Sequence, residues 1–149
     1  MPTVRGCNLP DELLYDVENH TWYQEVGDGT VRIGMTAVAT ALAGELVAFT
    51  PKKVGRSVKA GKSCATIESG KWVGPAKSAA AGEVVAINEE LVGQPNLANA
   101  DPYAAWLLVL QPEDWDNVKP ALTPGTDVAA PYEAKMDADS FDGCEVLAG

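Results

Sequence analysis

Short apolar runs bounded by turn-forming residues recur along the chain, and they spell strands far more often than helices. Leu13-Leu14-Tyr15 and Thr21-Trp22-Tyr23 read as short strands. The second returns through Asp28-Gly29, a strong turn signal, into a strand over Val31 to Met35. Thr36 can cap the run Ala37 to Ala43 and Gly44 stops it, so a short helix is predicted with both of its ends written locally. Ser63-Cys64-Ala65-Thr66-Ile67 alternates as a strand, and Trp72-Val73 resumes beyond a Ser69-Gly70 pair that has the composition of a tight hairpin. Trp106 to Leu110 is nearly continuous in apolar residues, the pattern of a central strand buried on both faces. Pro112 to Trp115 offers a helix start, and residues 127–138 can form a further helix with Ala129, Ala130, Tyr132, Ala134 and Met136 supplying its apolar side. Residues 1–12 lack a period and are broken by Pro2 and Pro10, so they form a leader that docks or frays. From Asp139 onward disorder or loose packing is expected.

The pattern repeats once. Gly44-Glu45-Leu46-Val47-Ala48 recurs as Gly82-Glu83-Val84-Val85-Ala86, and the same register aligns Val54-Gly55 with Val92-Gly93 and Ala60-Gly61 with Ala98-Asn99. Each copy runs on into an apolar strand. Neither unit is large enough to bury a face alone, so a quasi-symmetric all-β sandwich around one core is predicted. The bridge between the halves contains Ile67-Glu68-Ser69-Gly70-Lys71-Trp72-Val73, which places Lys71 at the tip of a hairpin. Most lysines on turns are solvated charges with no task, so what singles out Lys71 is the organisation on either side of it.

At these residues the chain resembles the lipoylated H protein of the glycine cleavage system and its relatives, over roughly residues 9–138. The resemblance is carried by Glu68-Ser69-x-Lys71, by Gly82-Glu83-Val84-Val85, by Val31-Arg32-Ile33-Gly34-Met35-Thr36, and by Asn99-Ala100-Asp101-Pro102-Tyr103 followed by Trp106. It implies a mainly β fold, a lipoyl-domain barrel-sandwich hybrid with a short helix near 36–43 and C-terminal helices. Three segments follow: a flexible leader at 1–8, a lipoyl-binding domain at 9–138, and a tail at 139–149. It also implies lipoic acid in amide linkage on Lys71, with Glu68, Ser69, Gly70 and Trp72 around the attachment point. Glu68 and Ser69 would serve recognition by a lipoate-protein ligase or other lipoyl-attachment enzyme, or merely fix the hairpin. Trp72 would shelter the cofactor ring, or serve as a core or interface aromatic.

Several positions depart from the family pattern. Gly70 and Trp72 flank the lysine where the family has Val and Ala, Lys77-Ser78-Ala79 replaces Tyr-Ala-Pro, and His20-Thr21-Trp22 replaces His-Glu-Trp. The run Gly70 to Pro75 is more similar to the H-protein-like lipoate-binding proteins of bacterial sulfur oxidation. That likeness implies a cytoplasmic carrier of a sulfur-containing intermediate or reducing equivalents. Its partners would be a heterodisulfide-reductase-like complex and dihydrolipoyl dehydrogenase. The alternatives are an aminomethyl carrier working with glycine decarboxylase and aminomethyltransferase, and a non-lipoylated protein-interaction module. In none of these is the chain an enzyme on its own.

Composition narrows the classes. With 149 residues, 46% hydrophobic and 21% charged, the chain suits a single soluble domain. A formal net charge of -10 argues against nucleic-acid binding, and no run approaches the ~20 apolar residues of a membrane span. Five of the eleven basic residues, Lys52, Lys53, Arg56, Lys59 and Lys62, crowd one segment, which reads as a solvated loop able to orient a partner. Gly55 to Ser63 nearly spells a phosphate-binding loop but has one residue too many between its glycines and a strand after it, so a nucleotide site is rejected. His20 is the sole histidine and has no cysteine pair beside it, which leaves a metal site little support. Cys64 reads as a small buried filler. Cys7 and Cys144 could meet in the fold, but two free thiols on mobile ends are the expectation.

Overall fold

The computed structural model describes residues 3–144. In chain order it comprises β1 (Thr3–Val4), β2 (Cys7–Asn8), β3 (Leu14–Asp16), β4 (Thr21–Glu25), β5 (Val31–Met35), α1 (Ala37–Ala43), β6 (Leu46–Pro51), β7 (Ser57–Val58), β8 (Lys62–Ser69), β9 (Val73–Ser78), β10 (Gly82–Ile87), α2 (Glu89–Gly93), α3 (Leu97–Ala100), β11 (Leu108–Pro112), α4 (Trp115–Val118), β12 (Thr123–Pro124) and α5 (Ala129–Ala138). Strands dominate, as the alternating runs predict.

One sheet has seven strands in the order β12-β3-β4-β5-β11-β10-β7, and a second has three in the order β6-β8-β9. Every pairing is antiparallel. Apolar side chains from both sheets, among them Ile33, Phe49, Ile67, Val84, Leu108 and Leu110, form the main core. β11 lies between β5 and β10, the central position expected of its sequence. It begins at Leu108 rather than Trp106: Trp106 O is taken by the Asn88 side chain (2.8 Å) instead of a strand partner, although Leu107 already donates its amide to Ile33 O of β5 (2.8 Å).

The internal repeat has a backbone counterpart. β6 pairs with β8 through a bulge between Leu46 and Ala48, and β10 pairs with β11 through a bulge between Val84 and Ala86, the two positions that the repeat equates. A bulge bends its strand and sharpens the twist, so the two copies enter their sheets with the same local device. Gly82 is needed at the second copy: a Cβ there would lie 2.3 Å from Gln111 O.

A second apolar cluster lies outside the two-sheet core. Trp22, Tyr15 and Leu13 are covered by Val38 of α1, by Val128, Tyr132 and Met136 of the α5 region, by Phe141, and by Val4, Cys7 and Leu9. Thus residues 3–12 dock on this cluster and residues 139–144 pack beside them: Cys144 N donates to Arg5 O (2.9 Å) and the Arg5 guanidinium donates to Phe141 O (2.8 Å), while Arg5 also pairs with Glu133 (3.1 Å) and Asp137 of α5. Residues 1, 2 and 145–149, parts of the expected leader and tail, lie outside the described residues.

Cys7 and Cys144 form a disulfide across a sequence separation of 137. The expectation of two free thiols is thereby overturned. Both ends carry apolar residues of their own, and burying those side chains in one cluster brings the two sulfurs together. Cys64 is free and fully buried, as its strand pattern predicts, and burial pushes its thiol up to about 12.

Candidate functional site

The β8–β9 hairpin turns through Gly70-Lys71, closed by Ser69 N donating to Trp72 O (2.8 Å). Alternation along β8 turns Ile67 and Ser69 inward, and leaves Glu68 exposed. The Ser69 hydroxyl accepts the Lys71 amide (3.3 Å), so this side chain braces the turn from beneath. Gly70 has open space where a Cβ would stand and no left-handed backbone, so nothing in the turn demands glycine there. Lys71 is exposed at the turn, and its ammonium makes no hydrogen bond or ion pair with the described residues.

The Lys71 stem is nonetheless guided. A Cβ on Gly44 would meet Lys71 Cε at 3.1 Å, so the missing side chain of residue 44 is the space across which the stem lies. Gly44 also terminates α1 with φ 84° and ψ -167°, a region essentially confined to glycine. Thr36 caps the other end of α1, its hydroxyl accepting Ala39 N (3.2 Å), as the sequence predicts. Asn99 holds the segment after the helix: its amide donates to Gly44 O (2.9 Å) and its carbonyl accepts Leu46 N (2.8 Å). At the helix start the Tyr103 hydroxyl accepts Ala37 N (3.0 Å) and donates to Asn8 O. The Asn99 to Tyr103 motif therefore positions both ends of α1, a role its sequence alone did not disclose.

On the other side of the turn, Trp72 is 40% exposed and its ring covers Gly74, where a Cβ would stand 2.3 Å from the indole. Trp72 lines a cavity of about 260 Å³ together with His20, Met35, Leu42, Ile67 and Ala76. None of the residues lining that cavity carries a carboxylate or an ammonium. His20 is held in a left-handed conformation (φ 57°), stacked on Tyr132 with its Nδ1 3.1 Å from the Tyr132 hydroxyl. Burial, then the nearby Lys135, lowers its pKa below the ordinary histidine value, against Asp139, Glu18 and Asp16, which raise it. Among the described residues no group of three or more His, Cys, Asp and Glu is placed to hold a metal ion. No described helix is long and apolar enough to cross a membrane.

The sequence pattern of the Glycine cleavage H-protein family matches residues 13–135. The chain is 50% identical over 127 residues to "Glycine cleavage system H protein 5" of Aquifex aeolicus, covering 82% of this chain and 85% of that protein. The chain belongs to the glycine cleavage H-protein family. It is also 36% identical over 126 residues to "Probable glycine cleavage system H protein 2" of Sulfurisphaera tokodaii, covering 83% and 85% of the two chains. The crystal structure of a glycine cleavage system H protein from Mycobacterium marinum superposes with a TM-score of 0.72 at 32% identity, over 85% of this chain and 97% of that one. The fold is thus the H-protein barrel-sandwich hybrid, mainly β with a C-terminal helix. H proteins carry lipoic acid covalently on a lysine and act as carriers rather than catalysts. The residues present suit such a group: an exposed amine on a braced two-residue turn, with a glycine leaving room beneath its stem.

Proposed function

We propose that Lys71 is the lipoylated lysine of this H protein, and that the chain is a carrier whose arm presents its cargo to successive enzymes. The observation that carries this is the Lys71 turn, in which a solvent-facing amine is mounted on a hairpin braced by Ser69 and its stem is laid across Gly44. Attached lipoate supplies a strained disulfide that opens to a dithiol able to hold a group or two reducing equivalents. Exposed Glu68 gives an attachment enzyme a charged handle beside the amine, and Ser69, being buried, fixes the turn. Trp72 and His20 wall the adjoining cavity, where a loaded end can be kept from water. Exposed Leu42, Trp72 and Val73 offer apolar contact to a docking enzyme close to the turn.

The relatives' names favour the glycine cleavage system over sulfur oxidation, with glycine decarboxylase, aminomethyltransferase and dihydrolipoyl dehydrogenase as partners. One observation keeps the sulfur reading as second. The cavity beside Trp72 and His20 has no carboxylate to hold a cationic aminomethyl group, and its lone imidazole is biased toward the neutral form. That lining suits a neutral sulfur-containing cargo passed to a heterodisulfide-reductase-like complex. Intact mass after expression with an active lipoate ligase tests the carrier: the expected result is one lipoyl adduct, mapped to Lys71. An unmodified chain would leave the interaction-module alternative. Exchange of glycine carboxyl carbon with bicarbonate, assayed with the pyridoxal-phosphate decarboxylase, then decides the pathway. Full activity assigns glycine cleavage; its absence with an intact adduct assigns the sulfur route.

A further inference from the structure

One groove runs between Cys144 of the Cys7–Cys144 disulfide and Gly44, the residue that the Lys71 stem approaches. Helix α1 forms its floor, the residues that line its volume of about 460 Å³ include Ala37, Thr40, Gly44, Asn99 and Cys144, and Glu45 is the one charged residue among them. At one end the Lys71 stem crosses Gly44. At the other, Cys144 Sγ stands 3.6 Å from Ala37 O. The seven residues of α1 rise by about 10 Å between those ends. A medium-chain acyl amide on Nζ extends by about another 10 Å, enough to bring a terminal sulfur to Cys144. The two cysteines are not equally accessible: Cys144 is half-buried on the groove wall, and Cys7 is 0% exposed beneath it. An incoming thiolate thus meets one sulfur and has one leaving group.

We propose that the Cys7–Cys144 disulfide is a second redox centre of this protein, an internal electron acceptor for a dithiol mounted on Lys71. The proposal rests on Lys71 being lipoylated. Cys144 Sγ accepts a thiolate, its bond to Cys7 breaks, and Cys7 leaves with the electron pair and takes up a proton. Cys144 is released in the same way when the donor's second sulfur closes on its first. The cysteine pair gains two electrons and two protons and ends as two thiols, while the donor loses the same and ends as a cyclic disulfide. Tethering makes the exchange intramolecular, at an effective concentration far above that of protein in solution. Cys64 takes no part, because it is fully buried and its thiol is pushed up to about 12.

The experiment uses the lipoylated full chain, its adduct first verified by intact mass, and the Lys71→Arg variant, which has no arm and alters only an exposed position. Each is incubated with NADH and dihydrolipoyl dehydrogenase, quenched with iodoacetamide over a time course, and peptide-mapped. Alkylation of Cys7 and Cys144 is expected about a hundredfold faster in the loaded chain than in Lys71→Arg, with a rate that does not change on dilution. Equal rates in the two proteins, a disulfide that persists while the arm is reduced, or alkylation of both cysteines in air-exposed protein before any reductant is added would each overturn the proposal. A chain with no adduct overturns the lipoyl reading along with it at the first step. An adduct without exchange overturns this proposal alone.

Discussion

Lys71 shows how little of a residue's importance has to lie in stability. It is exposed and its ammonium has no partner among the described residues, so Lys71→Ala should shift stability by no more than about 0.5 kcal/mol. The same variant should accept no lipoyl group. A thermal melt and an intact mass on one preparation check both halves; a large drop in melting temperature would mean the side chain is structural. His20 is the reverse case, a group whose protonation state is set by packing. Burial lowers its pKa, so between the unfolded value near 6.5 and the lower folded one the unfolded chain binds a proton that the folded chain does not. Its contribution is complete above about pH 6.5 and is lost as the pH falls toward the folded value. His20→Asn keeps a residue tolerant of the left-handed backbone while removing the titration. Melting temperature followed from pH 7.5 to 5 should therefore fall less steeply in the variant, and identical slopes would remove His20 from the account.

At the level of elements, α1 is the piece on which the site is built. Its length is set by local chemistry, since the Thr36 hydroxyl caps one end and Gly44 provides the backbone that ends it. Thr36→Ala should cost about 1 kcal/mol in a denaturant titration, from loss of the cap, and more if the contact with the Tyr132 hydroxyl (3.3 Å) is also missed. Gly44→Ala should cost about 1–3 kcal/mol because φ 84° with ψ -167° is strained for any side chain. It should also slow lipoylation, since the new methyl group occupies the space of the Lys71 stem. Normal attachment kinetics in a folded Gly44→Ala protein would show that the stem does not need that path. The hairpin β8–β9 is simpler, because its register follows from alternation and its turn from the bond between Ser69 N and Trp72 O.

For the whole molecule, the decisive feature is that two terminal segments close a second apolar cluster over β3, β4 and α1. The bond between Cys7 and Cys144 ties the ends of almost the entire chain, so it removes much of the freedom of the unfolded state. Opening it with dithiothreitol should lower stability by about 2–4 kcal/mol, read as the difference between the unfolding free energies extrapolated to zero urea for the two forms, each with its own slope. No shift would mean that packing of Val4, Leu9 and Phe141 alone holds the ends. The main core should survive reduction, because none of its members depends on that bond.

The strands β4 and β5, the caps of α1, the hairpin under Lys71 and the internal repeat could be anticipated from residue order, whereas the matched bulges in the two copies emerged only from the pairing of the strands. Each anticipated feature depends on chemistry within a few neighbours: alternation, a capping hydroxyl, a turn pair, a repeated Gly-Glu-apolar start. The amino acids alone likewise put Glu68, Ser69, Gly70, Lys71 and Trp72 in one turn, because adjacent residues cannot be far apart. Tertiary structure decided what distance along the chain conceals. Asn99 reaches back to Gly44 and Leu46, Tyr103 reaches Ala37 and Asn8, and Gly44 clears the way for Lys71. Cys7 and Cys144 looked like stray thiols on loose ends because no local pattern records that both ends must bury apolar side chains in the same place. Burial is a property of surfaces brought together, and only the folded chain specifies which surfaces meet.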